Sequence, residues 1–175
     1  MADIGIKYGT TVAFDVTNLG GLDSSATRVN GWTTASVDNN ADNFLDYLIS
    51  GSFKTATAAP GDKTTISVYA YAALNPDTPI WPDLFSSGTE GSVGLANVHD
   101  EEQRDCGMRH LWTGTVDNGA AGEVYTMPPT SLAEAFGGVP PRLWALWVVH
   151  NFGGTSELHA SDNALYRTPI EGVSA

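Results

Sequence analysis

Cysteine is almost missing from this chain. Cys106 is the single one in 175 residues, so no disulfide can close within it. That usage suits a reducing compartment. Basic side chains are scarce: 8 Lys and Arg stand against 20 Asp and Glu, for a formal charge of −12. This balance excludes a site for a nucleic-acid backbone, which needs clustered Lys and Arg. It equally excludes electrostatic docking on an anionic membrane leaflet. Long hydrophobic runs are lacking too. The longest, 143–149 (LWALWVV), falls far short of the roughly 20 residues of a membrane helix. The first ten residues, MADIGIKYGT, hold no basic segment followed by an apolar one, so no secretory signal is expected there. The serine-hydrolase elbow G-x-S-x-G, the Walker loop and H-E-x-x-H are all missing.

What is present points to a β protein. Only 16% of residues are charged, while 19 Gly and 9 Pro punctuate the whole length. A helical bundle would need more Glu, Lys and Leu. Hydrophobic residues reach 42%, enough for a sizeable core in one domain. No internal repeat, low-complexity segment or charge block interrupts the chain. We read residues 1–10 as an N-terminal arm, 11–171 as the domain and 172–175 as a C-terminal tail.

Strand patterns recur along the domain. Residues 10–16 (TTVAFDV) alternate on Val12, Phe14 and Val16. Residues 26–37 carry Val29, Trp32 and Val37, interrupted by Asn30-Gly31, a dipeptide that favours a turn or bulge. Further strands are expected over 46–54 (DYLISGSFK), 64–72 (TTISVYAYA), 109–116 (RHLWTGTV), 122–127, 141–150 (PRLWALWVVH) and 164–170 (ALYRTPI). The strand at 141–150 reads as central, and Pro169 demotes the end of the last one to an edge. About eight strands with turn signals between them predict an all-β, antiparallel sandwich or barrel. One short helix is expected at 131–136, where Ser131 and Glu134 form a capping box and Gly137-Gly138 a stop. Residues 41–45 suggest a single helical turn. Two long irregular segments remain, 75–85 (NPDTPIWPDLF) and 94–108 (GLANVHDEEQRDCGM). Loops of that length are usually functional or contact a neighbour.

Several clusters invite chemistry. Asp38, Asn40 and Asp42 occupy the first, third and fifth positions of a calcium loop, but the sixth is Asn43 and the twelfth Ile49. A solvated turn explains them better. His99, Asp100, Glu101, Glu102, Asp105, Cys106 and His110 suggest zinc, yet Cys106 and His110 lack a second close pair. A Cys–His nucleophile pair there would need an orienting third group. The carboxylates are too scattered to pick out a glycosidase pair. His99, His110, His150 and His159 contain no His-x-His, as a metal enzyme of the cupin type would require. No catalytic, metal or cofactor site is therefore assigned. Among the five tryptophans, Trp144 and Trp147 are an odd number apart and must point to opposite faces of a strand. One of them then faces a partner or a second layer. Trp81, between two prolines, is expected to be exposed.

Three stretches together suggest a family. They are TTISVYAYAALNPDTP followed by a long acidic loop, the early series WTTASVDNNADNFLDYLISGSFK, and the closing series MPPTSLAEAFGGVPPRLWALWVVHNFGGTSELHASDNALYRTPI. Over residues 10–171 the layout resembles jelly-roll structural proteins of tailed-phage virions. The resemblance lies in patterns of fold and carries over no catalytic residue. It implies a non-enzymatic virion protein, either a capsid decoration (cement) protein on the exterior of the head or a head or tail fibre component. It further implies homotrimers, the major capsid protein as partner, no cofactor, and assembly in the host cytoplasm. Trp81, Ile80, Leu84, Phe85, His99 and Trp144 are the expected partner contacts. The alternative is a carbohydrate-binding or fibre-type adhesion module, with Trp81 or Trp144 exposed to stack on a sugar.

Overall fold

The computed structural model describes residues 4–56, 60–61, 63–116, 120–153 and 157–174. Its strands are β1 (Ile4–Tyr8), β2 (Val12–Ala13), β3 (Asn30–Thr33), β4 (Val37–Asp38), β5 (Asp46–Lys54), β6 (Thr64–Ala72), β7 (Gly94–Asn97), β8 (Arg109–Val116), β9 (Val124–Ser131), β10 (Leu143–His150) and β11 (Ala164–Ser174). Two short α-helices, α1 (Glu101–Gly107) and α2 (Leu132–Ala135), accompany them.

The pairings define a jelly roll. Near the start of the chain β2 pairs with the last strand, β11. Next, β3 and β4 pair with β10. Then β5 pairs with β9 and β6 with β8. The chain is thus a ribbon of antiparallel partners, outermost with outermost, rolled so that β11 meets β5 and β10 meets β6. Two antiparallel sheets result, β1-β11-β5-β9 and β7-β3-β10-β6-β8, with β2 and β4 as extra partners of β11 and β10. This is the expected all-β sandwich.

Alternation builds the core between the sheets. In β5, Tyr47, Ile49, Gly51 and Phe53 are buried at every second position, as a strand with one face on a core requires. Facing them are Trp32, Ile66, Val68, Trp144, Leu146 and Val148. Every residue of β10 is buried, however. Its other face, Ala145, Trp147 and Val149, belongs to a second apolar cluster with Tyr69, Tyr71, Leu84, Phe85, Ala96, Val98 and Met108. Trp144 and Trp147 do point to opposite faces. Trp147 meets a second layer supplied by the same chain, the excursion between β6 and β8.

That excursion is more regular than the sequence reading allowed. Its second half forms β7 and α1, so the described residues hold two α-helices where one was expected. The α1 signal is local. Asp100 accepts from the Gln103 N–H at 2.7 Å as N-cap, and Glu101 and Glu102 occupy the positive first turn. The helix is pinned by Arg104, buried, which donates to the Thr27 and Arg28 carbonyls and to Asp105. α2 begins where its capping box predicts, with Ser131 Oγ accepting from the Glu134 N–H at 3.0 Å.

Other expectations need revising. Asn30-Gly31 makes no turn; it lies inside β3. The glycine serves packing, since a Cβ there would come within 2.3 Å of the Trp147 indole. The strand expected over 10–16 shrinks to β2. Residues 41–45 form no helix, only a turn in which the Asn43 N–H bonds the Asn39 carbonyl at 3.0 Å. β9 continues through Pro128-Pro129, tolerated on a sheet edge at a register shift. Pro169 is not at an edge: it pairs with Tyr47 of β5 inside the sheet. Its carbonyl accepts from Gly9, so its donor-less nitrogen faces the interval between β1 and β2, where no ladder bond is lost.

Within the arm expected over 1–10, β1 pairs with the end of β11, from Tyr8 opposite Ile170 to Ile4 opposite Ser174. The tail expected over 172–175 joins the same ribbon through Ser174. Residues 1–3 and 175 lie outside the described residues, as does Gly154 of the turn expected after β10.

Candidate functional site

The six expected contact residues do not form one surface. Trp144 is fully buried in the main core, edge-on to Tyr47 and Phe14. Leu84 and Phe85 are buried in the second cluster. These three therefore offer nothing to a partner; strand β10 needed a cover on its outer face, and the excursion supplies it. Trp81 is half-buried rather than exposed. It packs edge-on against Tyr71 at 5.3 Å and lies close to Gly91, where φ is 74° and a Cβ would come within 2.6 Å of the indole. Ile80 and His99 remain at the surface, with His99 Nε2 3.4 Å from Asp83.

The acidic side chains of the excursion largely serve its own folding. Glu90 Oε1 accepts from the Leu84 and Phe85 N–H groups at 3.0 and 2.7 Å. Tyr71, whose hydroxyl burial pushes up to about 12, accepts from the Gly91 N–H at 2.9 Å and shares a 2.7 Å bond with Thr33. A neutral phenol is a stable hydrogen-bonding post here. At the outer end the Asn75–Ile80 bridge closes a hairpin, and the Leu74 N–H also bonds the Ile80 carbonyl at 2.7 Å. Leu74 and Ile80 are 73% and 52% exposed, two apolar side chains on one hairpin. Arg142 reaches the turn of this hairpin through Asp77 at 2.6 Å and also bonds Asn40.

No metal centre emerges from the calcium-like and zinc-like clusters. Among the described residues, no group of three or more His, Cys, Asp or Glu side chains is placed to hold an ion. Asp38 Oδ1 accepts from the Asn40 N–H at 2.7 Å, the turn that its sequence context suggested. Cys106 is exposed on α1. His110 bonds Thr113 at 2.7 Å.

One concave site was not legible in the sequence. A cleft of about 340 Å³ opens at one end of the roll, lined by Val12, Asp38, Asp42, Phe44, Arg167 and Glu171 among others. Three separate chain segments supply those six. Arg167 projects from β11, its guanidinium 5.2 Å from the Phe14 ring. Burial holds its pKa below the usual arginine value. Tyr47 closes the inner wall, its hydroxyl donating to Asn39 Oδ1 at 3.1 Å and pushed up to about 12 by burial. No family model matches the chain, and no curated protein matches it.

Proposed function

We propose that this chain is a non-enzymatic virion structural protein, a decoration protein that binds the outside of a capsid and stabilises it. Its partners in this reading are the major capsid protein and two further copies of itself. It assembles in the host cytoplasm and ends on the capsid exterior. Support comes from the outermost-with-outermost strand pairing, an architecture common in capsid proteins; that support is by analogy of fold. The observation that carries the contact is the exposure of Leu74 and Ile80 on one hairpin. Two large exposed apolar side chains on a hairpin tied to Arg142 would gain by burial against a neighbour. The mechanism is mechanical. Rigid modules bridge adjacent shell subunits, and repeated attachment around a symmetry axis adds avidity.

The test mixes purified protein with shells that lack it and counts copies bound after sedimentation. Saturation at a copy number set by the lattice axes, reduced at least tenfold in affinity for Leu74→Ser/Ile80→Ser, is the expected result, since two buried aliphatic side chains contribute roughly 3 kcal/mol. No binding, or equal binding by the double variant, refutes the contact.

A further inference from the structure

The cleft at the end of the roll goes beyond shell binding. Arg167 is its most informative residue. It lies between the sheets, partly withdrawn from water, on the face of Phe14. Among the described residues its guanidinium has no hydrogen bond and no ion pair, although Asp38, Asp42 and Glu171 line the same cleft. None of its nitrogens is sealed from solvent, since the sealed, unbonded side-chain nitrogens are those of Arg28 and Trp144. Its donors therefore reach solvent and have no protein acceptor among the described residues. A half-buried guanidinium without a protein acceptor can donate to a ligand that enters the cleft.

Charge and shape narrow the class. The three carboxylates outnumber the one guanidinium of the cleft, and only Glu171 is itself paired, with Lys7 at 3.3 Å. The negative balance opposes a phosphate or a carboxylate ligand. A cationic ligand would meet Arg167. A neutral polyol suits both, because each hydroxyl accepts from a guanidinium and donates to a carboxylate. Phe44, half-buried, adds an apolar face for ring C–H groups and also lines two adjoining clefts. The volume is at the small end of ligand pockets, roughly 300–1,000 Å³.

We propose that this cleft binds a neutral saccharide of one or two rings. Arg167 donates to its hydroxyl oxygens, Asp38 and Asp42 accept from its hydroxyl protons, and Phe44 packs on its ring face. The tryptophans Trp81 and Trp144 take no part.

The experiment titrates isotope-labelled protein with methyl glycosides of glucose, galactose, mannose and N-acetylglucosamine, followed by amide and side-chain nitrogen–proton spectra. Acetate and inorganic phosphate are the anion controls. The expected result is saturable shifts at Asp42, Phe44 and the Arg167 side chain with at least one glycoside. Affinity then falls roughly tenfold or more in Arg167→Met, the loss of a charge-assisted bond. Asp42→Ala, on an exposed turn where folding is not at stake, falls at least roughly threefold on loss of one hydrogen bond. Silence at the cleft with every glycoside overturns the proposal. So does an anion that shifts Arg167 as strongly as any glycoside, or binding unchanged in Asp42→Ala. Shell binding is read separately, so either reading can fail alone.

Discussion

His150 should make this protein acid-labile well above the range where carboxylates titrate. The imidazole is fully buried at the end of β10. Its Nε2 lies 2.7 Å from the Leu22 carbonyl, which only accepts, so Nε2 carries the proton. Nδ1 then faces the Phe152 N–H at 3.5 Å as an acceptor. Protonating Nδ1 would set donor against donor in a dry site. Burial accordingly lowers the His150 pKa from 6.5 to about 4, against smaller upward pulls from the Leu22 carbonyl and Asp23. The folded pKa is depressed, so the unfolded chain binds the extra proton. Stability from this group is full above about pH 6.5 and drains as pH falls toward 4. At roughly 1.4 kcal/mol per pH unit, the loss is about 2 kcal/mol at pH 5 and about 3 kcal/mol by pH 4. Asp15, Asp105 and Asp162, held below 3.8 chiefly by hydrogen bonds, add their losses only below pH 4. Urea unfolding followed by tryptophan fluorescence from pH 7.5 to 4.5 measures the slope, with His150→Gln as the non-titrating comparison. A flat profile in the parent, or the same slope in His150→Gln, would refute the reasoning.

Three further outcomes follow from packing. Gly31→Ala drives a methyl into the Trp147 indole and should cost about 1–3 kcal/mol or more in chemical denaturation; a neutral result would mean β3 is not where we place it. Trp147→Phe should cost more than Trp144→Phe, because the Trp147 N–H donates to the Ala96 carbonyl at 2.9 Å, whereas the buried Trp144 N–H has no acceptor among the described residues. The difference, about 1 kcal/mol, is the worth of one such bond, and equal costs would count against it. Arg104→Met removes the bonds to Thr27 and Arg28 that pin α1. Amide exchange across Glu101–Gly107 should then quicken while β5 stays protected; unchanged exchange in α1 would show that other contacts hold it.

Much of the sandwich was legible from the chain alone, for a local reason. Period-two alternation sets which side of a strand each residue takes, so β5, β6 and β8 appear over the ranges read from sequence. The same rule separated Trp144 from Trp147. Ser131 and Glu134 marked α2 because a cap is a contact between near neighbours, and Asp100 and Gln103 carried an equal signal for α1 that went unread. Alternation does not say what lies beyond each face. That Leu84 and Phe85 would be spent covering the outside of β10, and not offered to a partner, follows from the excursion folding back over its own sheet. Pro169 inside a sheet was permitted only because β1 stops at Tyr8 and β2 begins at Val12. The cleft was beyond reach for the same reason. Val12, Asp38 with Asp42, and Arg167 are brought together by strands paired across nearly the whole chain, and nothing in their local patterns announces the meeting. Sequence determined the strands and their faces; the rolling of distant partners decided which faces were closed and which one was left open.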